Sequence, residues 1–115
     1  MKEILDIFSL KGKTAVITGG AGILGSEIAK GLGKAGAKIA ICDIINAEKI
    51  ATELKAEGII ASRGYYIDVL DIEKIKACKD EIVKDYGRID ILLNAAGGNI
   101  KEATTSQELN VSTTA

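Results

Sequence analysis

An apolar run, Thr14-Ala-Val-Ile17, enters the glycine-rich stretch Thr18-Gly19-Gly20-Ala21-Gly22-Ile23-Leu24-Gly25, and a segment with helical apolar spacing leaves it. The run reads as a buried strand, the segment as a helix, and the glycines as the turn between them. Such a turn brings backbone N–H groups to the positive end of the helix dipole, and little in it obstructs the close approach of a diphosphate. Gly20-Ala-Gly22-Ile-Leu-Gly25 also fits the dinucleotide-binding spacing G-x-G-x-x-G. Short glycine patterns recur by chance, so the match needs company.

Two features at suitable distances supply it. Asp43 ends the next apolar run, Lys38-Ile-Ala-Ile-Cys42, and lies 23 positions after Gly20. An acid about 20 residues on is where ribose hydroxyls would be held. Farther along, Ile89-Asp-Ile-Leu-Leu93 runs into Asn94-Ala-Ala-Gly97, a second strand ending in a small-residue turn. Together these point to nucleotide binding. The competing account is an α/β domain whose glycines serve only tight turns and close helix packing. It explains Gly25 well and Asp43 poorly, unless Asp43 is a helix-capping or surface acid.

With 115 residues, one domain with a real core is expected. Hydrophobic residues make up 47% and aromatic ones only 3%, so the core is Ile, Leu, Val and Ala. Such a core suits parallel strands buried on both faces. The net charge of −1 comes without a basic cluster, so neither nucleic acid nor an anionic membrane is an expected partner. No apolar run approaches the roughly 18 residues of a membrane span, and the N-terminus lacks a signal-peptide pattern. Cys42 and Cys78 make no disulfide framework and read as packing residues, which makes the cytoplasm the default compartment. The absence of histidine excludes His-based acid–base chemistry and His-containing zinc sites.

Strands are expected over 13–18, 38–43, 59–67 and 89–94, and helices over 22–35, 46–57 and 71–86. The helices rest on apolar spacing: Ile28 with Leu32, Ile50 with Leu54, and Ile72 with Ile75, Ile82 and Tyr86. Gly36, Gly58 and Gly87 follow the helices as left-handed caps, and Asp71 is a candidate N-cap. Arg63 and Gly64 interrupt the third strand. Alternating strands and helices imply βαβ units with right-handed crossovers. From Asn99 onward the chain is polar and poorly periodic, a loop or frayed tail.

These motifs, in this order, resemble the short-chain dehydrogenase/reductase family over residues 8–98. Phe8-Ser-Leu-Lys-Gly-Lys13 and Ala15-Val-Ile-Thr-Gly-Gly20 are similar to the family's opening, Asp68-Val69 to its adenine-contacting pair, and Asn94-Ala-Ala-Gly97 to its turn beneath the cofactor. The resemblance implies an α/β fold of Rossmann type: a doubly wound parallel sheet, truncated to about four strands and three to four helices. It differs at one place, since the family's T-G-x-x-x-G-x-G would put glycine at Ile23, and this chain has Gly22 instead. A sugar-acid branch of mannonate/fructuronate oxidoreductase type resembles that shifted version, and so do Gly97-Gly-Asn99 and Ala103-Thr-Thr105. Candidate cofactor-binding residues are Gly19, Gly22, Ile23, Leu24, Asp43, Asp68, Val69, Asn94, Ala95, Ala96 and Gly97. No metal site is expected. A carboxylate at Asp43 would repel a 2′-phosphate, and Ile44 follows where NADP-preferring relatives often carry a basic residue, so the expected cofactor is NAD. Asp68 reads equally as a residue that organises its own turn.

The resemblance also implies a Tyr-x-x-x-Lys pair with an upstream Ser, in which tyrosinate moves the proton and lysine lowers its pKa. Four residues after Tyr65, Tyr66 and Tyr86 stand Val69, Leu70 and Asp90, so no such pair exists and no catalytic residue is assigned. The three tyrosines read as packing residues. Asn110 precedes a valine as the family's active-site Asn does, but only 16 positions after Asn94, too near for the family spacing. The last strand would be an apolar edge that invites another chain, and a homo-oligomer is expected. The chain thus reads as the cofactor-binding front portion of an NAD-dependent oxidoreductase acting on a small alcohol or ketone, with residues 1–98 the nucleotide-binding part and 99–115 leading into a catalytic half. Truncation, proteolysis or an interrupted gene would each leave such a piece. The alternatives are a non-catalytic NAD(H)-binding module, or a subunit completed by a partner, and a structural domain with a vestigial site.

Overall fold

The structure is a computed structural model and describes residues 9–68 and 70–95, together with the backbone of 111–112. The elements are β1 (Thr14–Thr18), α1 (Ile23–Lys34), β2 (Lys38–Asp43), α2 (Ala47–Ala56), β3 (Ser62–Tyr66), α3 (Ile72–Tyr86), β4 (Ile91–Asn94) and β5 (Val111–Ser112). The sheet runs β3-β2-β1-β4-β5, with the first four strands parallel and β5 antiparallel to β4. This is the expected Rossmann-type sheet.

Alternate residues of the central strands bury themselves on opposite faces. Ala15, Ile17, Ile39, Ile41 and Leu93 pack under α1 and α2, with Ala29 and Leu54. Val16, Ala40 and Cys42 pack under α3, with Cys78 and Ile82. Three layers result, with α3 alone covering the second face among the described residues. The expected helix faces are met except at Ile72, which is 67% exposed in the first turn of α3 while Cys78 takes a place in that core. Asp71 caps α3 as expected, its side chain accepting from the amides of Glu73 and Lys74, an arrangement worth about 1 kcal/mol. Gly36, Gly58 and Gly87 all adopt positive φ.

The third strand and the polar tail also depart from expectation. The third strand starts at Ser62 rather than Ile59 and runs through Arg63 and Gly64 without a break. Gly64 is required there because α2 begins directly above it: a methyl group at Gly64 would lie 2.5 Å from the backbone of Ala47 and Glu48. The polar tail is also not wholly irregular, since Val111 and Ser112 pair with Leu93 and Leu92. The edge expected at β4 is therefore partly covered by this chain itself.

The tyrosines divide. Tyr65 is buried and donates to Asp85 Oδ2 at 2.6 Å, and the Tyr86 hydroxyl meets the carbonyls of Ile39 and Ala61 at 2.8 and 3.1 Å. Tyr66, expected to pack, is 58% exposed, because a strand that turns Tyr65 inward turns its neighbour outward. Burial pushes the Tyr86 phenol up to about 12, and burial followed by the Asp85 hydrogen bond raises Tyr65 further. Both groups are held protonated by the fold, so their contribution is complete below the ordinary phenol value of about 10 and falls as pH rises toward the folded value. Denaturant midpoints measured at about pH 9 and about pH 11.5 should fall less steeply for Tyr86→Phe than for the parent, although Tyr65 keeps some slope in both. Equal slopes would refute the assignment.

Candidate functional site

At the carboxyl ends of β1 and β2 the glycine-rich turn is fastened strand to strand. The Gly19 and Gly20 amides donate to the Cys42 carbonyl at 2.7 and 3.3 Å, and Gly22 donates to Gly19 at 3.1 Å. The Ala21 amide donates to Asp43 Oδ2 at 3.0 Å. Those four donors are thus consumed within the protein. The first bond inside α1 runs from Ser26 to Gly22, so the amides of Ile23, Leu24 and Gly25 have no intrahelical acceptor. Among the described residues no side chain caps this helix, and its first turn holds no acid. An anion suits that end electrostatically, in a place where Gly22, Ile23 and Leu24 are exposed.

The glycines do separate jobs. Gly19 takes φ +70 to start the turn. A methyl group at Gly25 would come within 2.5 Å of the Gly19 carbonyl oxygen, so Gly25 lets the helix close onto the turn. Gly22 is extended, at φ −73 and ψ 169. Ile23 stands where the resembled pattern has glycine and is 89% exposed. The turn therefore accepts a side chain at that position.

Asp43 does more than the sequence suggested. Besides holding Ala21, its Oδ1 accepts from Ile44 at 2.7 Å and from Ile45 at 3.5 Å. It does not cap α2, whose N-cap is Asn46 without a side-chain bond. Asp43, Ile44, Ile45, Asn46 and Tyr66 line a shallow hollow of about 370 Å³, and Lys74 Nζ lies 5.2 Å from the centre of the Tyr66 ring. Asp68 organises its own turn, accepting from the Leu70 amide through Oδ1 at 3.0 Å and from Asp71 through its carbonyl at 2.9 Å. At the end of β4, Thr18 Oγ1 donates to Asn94 Oδ1 at 2.9 Å, and the Ala95 amide donates to the Thr18 carbonyl at 2.8 Å. One strand end thus brings together the turn, Asp43 and Asn94–Ala95. Thr18, Ala21 and Tyr66 escaped the sequence reading, although the in-out alternation of β3 could have placed Tyr66. Val69, Ala96 and Gly97 lie outside the described residues.

The family model for short chain dehydrogenase matches residues 13–114. The chain belongs to the short-chain dehydrogenase family, whose members are oxidoreductases. It is 45% identical over 94 residues to a 5-keto-D-gluconate 5-reductase of Escherichia coli K12, covering 80% of this chain and 37% of that protein. A solved structure assigned as a D-mannonate oxidoreductase from Haemophilus influenzae, with bound NAD, is 38% identical with a TM-score of 0.76, over 93% of this chain and 39% of the other. An NADPH-dependent 3-quinuclidinone reductase from Rhodotorula rubra gives 32% identity and a TM-score of 0.72, over 78% and 35%. The chain spans about 34–43% of the length of the curated relatives it matches. Nicotinamide cofactors of both kinds therefore occur among its structural neighbours. Among the described residues no helix is long and apolar enough to cross a membrane.

Gly25→Ala forces a methyl group against a backbone oxygen, whereas the same change at Gly22 meets Gly19 oxygen at an ordinary 3.4 Å. Overpacking of that kind costs about 1–3 kcal/mol. Urea unfolding should find Gly25→Ala destabilised by that amount, with Gly22→Ala within about 0.5 kcal/mol of the parent. Reversal of the order would contradict this division of labour.

Proposed function

We propose that this chain is the cofactor-binding portion of an NAD-dependent short-chain oxidoreductase whose substrate is a sugar acid or its keto form. One observation carries the reading: at the carboxyl ends of β1 and β2, Asp43 is hydrogen-bonded to Ala21 of the turn that leads directly into the N-terminus of α1. The amides of Ile23 and Leu24 would hold the diphosphate, with Gly19 and Gly22 shaping the turn beneath it. Asp43 would accept from the adenosine ribose hydroxyls and repel a 2′-phosphate. Asp68 and Val69 would border the adenine, and Asn94, Ala95, Ala96 and Gly97 would form the floor toward the nicotinamide ribose. When bound, the nicotinamide supplies or accepts hydride at C4, and the substrate carbon is a carbinol or a ketone. The gluconate reductase and the mannonate oxidoreductase among the relatives support the sugar-acid class. The family resemblance implies a tyrosine as the proton-transfer group, and the family's Tyr-x-x-x-Lys spacing is missing from these residues.

A second reading has its own support. Tyr65 and Tyr86 are committed to Asp85 and to the Ile39 and Ala61 carbonyls, so neither is poised to transfer a proton. A chain so arranged binds nucleotide without turning it over, as a sensor or as a subunit that a partner completes.

Titration of this chain with NADH, followed by calorimetry, tests the binding that both readings require. Oxidation of NADH by a 5-ketogluconate once the chain is continued into a segment carrying Tyr-x-x-x-Lys supports the enzyme; saturable binding without turnover in that longer chain supports the module. No saturable binding at millimolar NADH would sink both. Asp43→Ala should weaken NADH binding by about 1–3 kcal/mol, the worth of charge-assisted hydrogen bonds. The parent should prefer NADH to NADPH; the opposite order would remove Asp43 from the ribose site.

A further inference from the structure

β2 and α3 meet through two thiols. Cys42 Sγ and Cys78 Sγ are 4.0 Å apart, and both side chains are buried in the core shared with Val16 and Ile82. A disulfide needs a sulfur–sulfur distance of about 2.05 Å, so closure requires a further approach of about 2 Å. Room for that approach exists. Both residues line an apolar cavity of about 290 Å³ bounded also by Ile75, Val83, Ile89 and Leu92, large enough to admit a small neutral oxidant. The S–H···S contact and burial hold the proton on Cys42, and the same contact lowers the pKa of Cys78. Cys42 is also the residue whose carbonyl receives the Gly19 and Gly20 amides. Movement of Cys42 toward α3 therefore pulls on the glycine-rich turn.

We propose that Cys42 and Cys78 form an oxidisable dithiol, closed to an intramolecular disulfide by a peroxide, and that closure disturbs the β1–α1 turn through the Cys42 carbonyl. The Cys78 thiolate attacks one peroxide oxygen; the O–O bond breaks, and the departing hydroxide takes up a proton to become water. Cys42 sulfur then attacks the sulfenic sulfur, the S–S bond forms, the S–O bond breaks, and the Cys42 proton leaves with the second water. The thiols lose two electrons and two protons, and the peroxide is reduced to water. Neither half of the proposal depends on nucleotide binding.

The test is hydrogen peroxide added to the folded, freshly reduced protein at low concentration, followed by intact mass and a non-reducing peptide map. A loss of about 2 Da, a linked Cys42–Cys78 peptide and reversal by dithiothreitol are expected. Thiols that stay free until denaturant is added, dimers linked between chains, or oxygen added to either sulfur without a link would overturn the disulfide. Because the parent protein carries this test, misfolding of Cys42→Ser cannot obscure it. Amide exchange at Gly19 and Gly20 should accelerate at least several-fold in the oxidised form. Unchanged exchange in a fully oxidised sample would overturn the link to the turn.

Discussion

The fastening of the β1–α1 turn to the end of β2 is the constraint from which the site follows. Three successive amides, at Gly19, Gly20 and Ala21, find acceptors on two consecutive residues of the adjacent strand, the Cys42 carbonyl and the Asp43 carboxylate. Backbone donors beneath a helix cannot be left unpaired without a penalty comparable to a lost hydrogen bond. Satisfying them from β2 fixes where the turn ends and the helix begins. The donors left over are those of the first helical turn, at the positive end of α1, and among the described residues no side chain caps them. An anion-accepting helix end is thus the remainder of a fully paired turn.

Close packing enforces the same geometry from below. Gly25 lets α1 approach the Gly19 carbonyl, and Gly33 leaves space that Ile59 fills, since a methyl group at Gly33 would meet Ile59 side-chain atoms at 2.6 Å. On that face two helices bury a continuous aliphatic layer. On the other face α3 alone covers the sheet among the described residues, and a cavity remains beside Ile89 and Leu92. The two thiols sit on this thinner side, where packing leaves side chains room to shift.

The local signals in the sequence are legible where one face dictates the residue. β1, β2 and β4 follow from aliphatic runs, and α3 follows from its Asp71 cap and Gly87 stop. β3 was harder because Gly64 answers to the backbone of α2, a contact distant in sequence. Ile59 looked like strand but belongs to the helix-side core, and Ile72 looked like core but opens α3 in solvent. β5 could not be foreseen, since two residues gain strand geometry only from Leu92 and Leu93 across the sheet. In the site, Asp43 was visible by spacing, but its bond to Ala21 was not; spacing reports where a carboxylate lies and says nothing of what it already holds.

That prior commitment shapes what Asp43 can do. A carboxylate offers about four acceptor positions, and this one already serves Ala21, Ile44 and, at 3.5 Å, Ile45. A sugar hydroxyl pair would find one position open and would compete for the longest of these contacts. The Ala21 and Ile44 bonds, at 3.0 and 2.7 Å, would remain. On the nucleotide reading, then, the same side chain builds the turn and meets the ribose, so turn and ligand are coupled through one acceptor. Among the described residues Asp68 carries a single side-chain bond of its own, to Leu70. It has more acceptor capacity to spare but no hold on the glycine-rich turn, so on that reading Asp43, and not Asp68, would tie recognition to the fold.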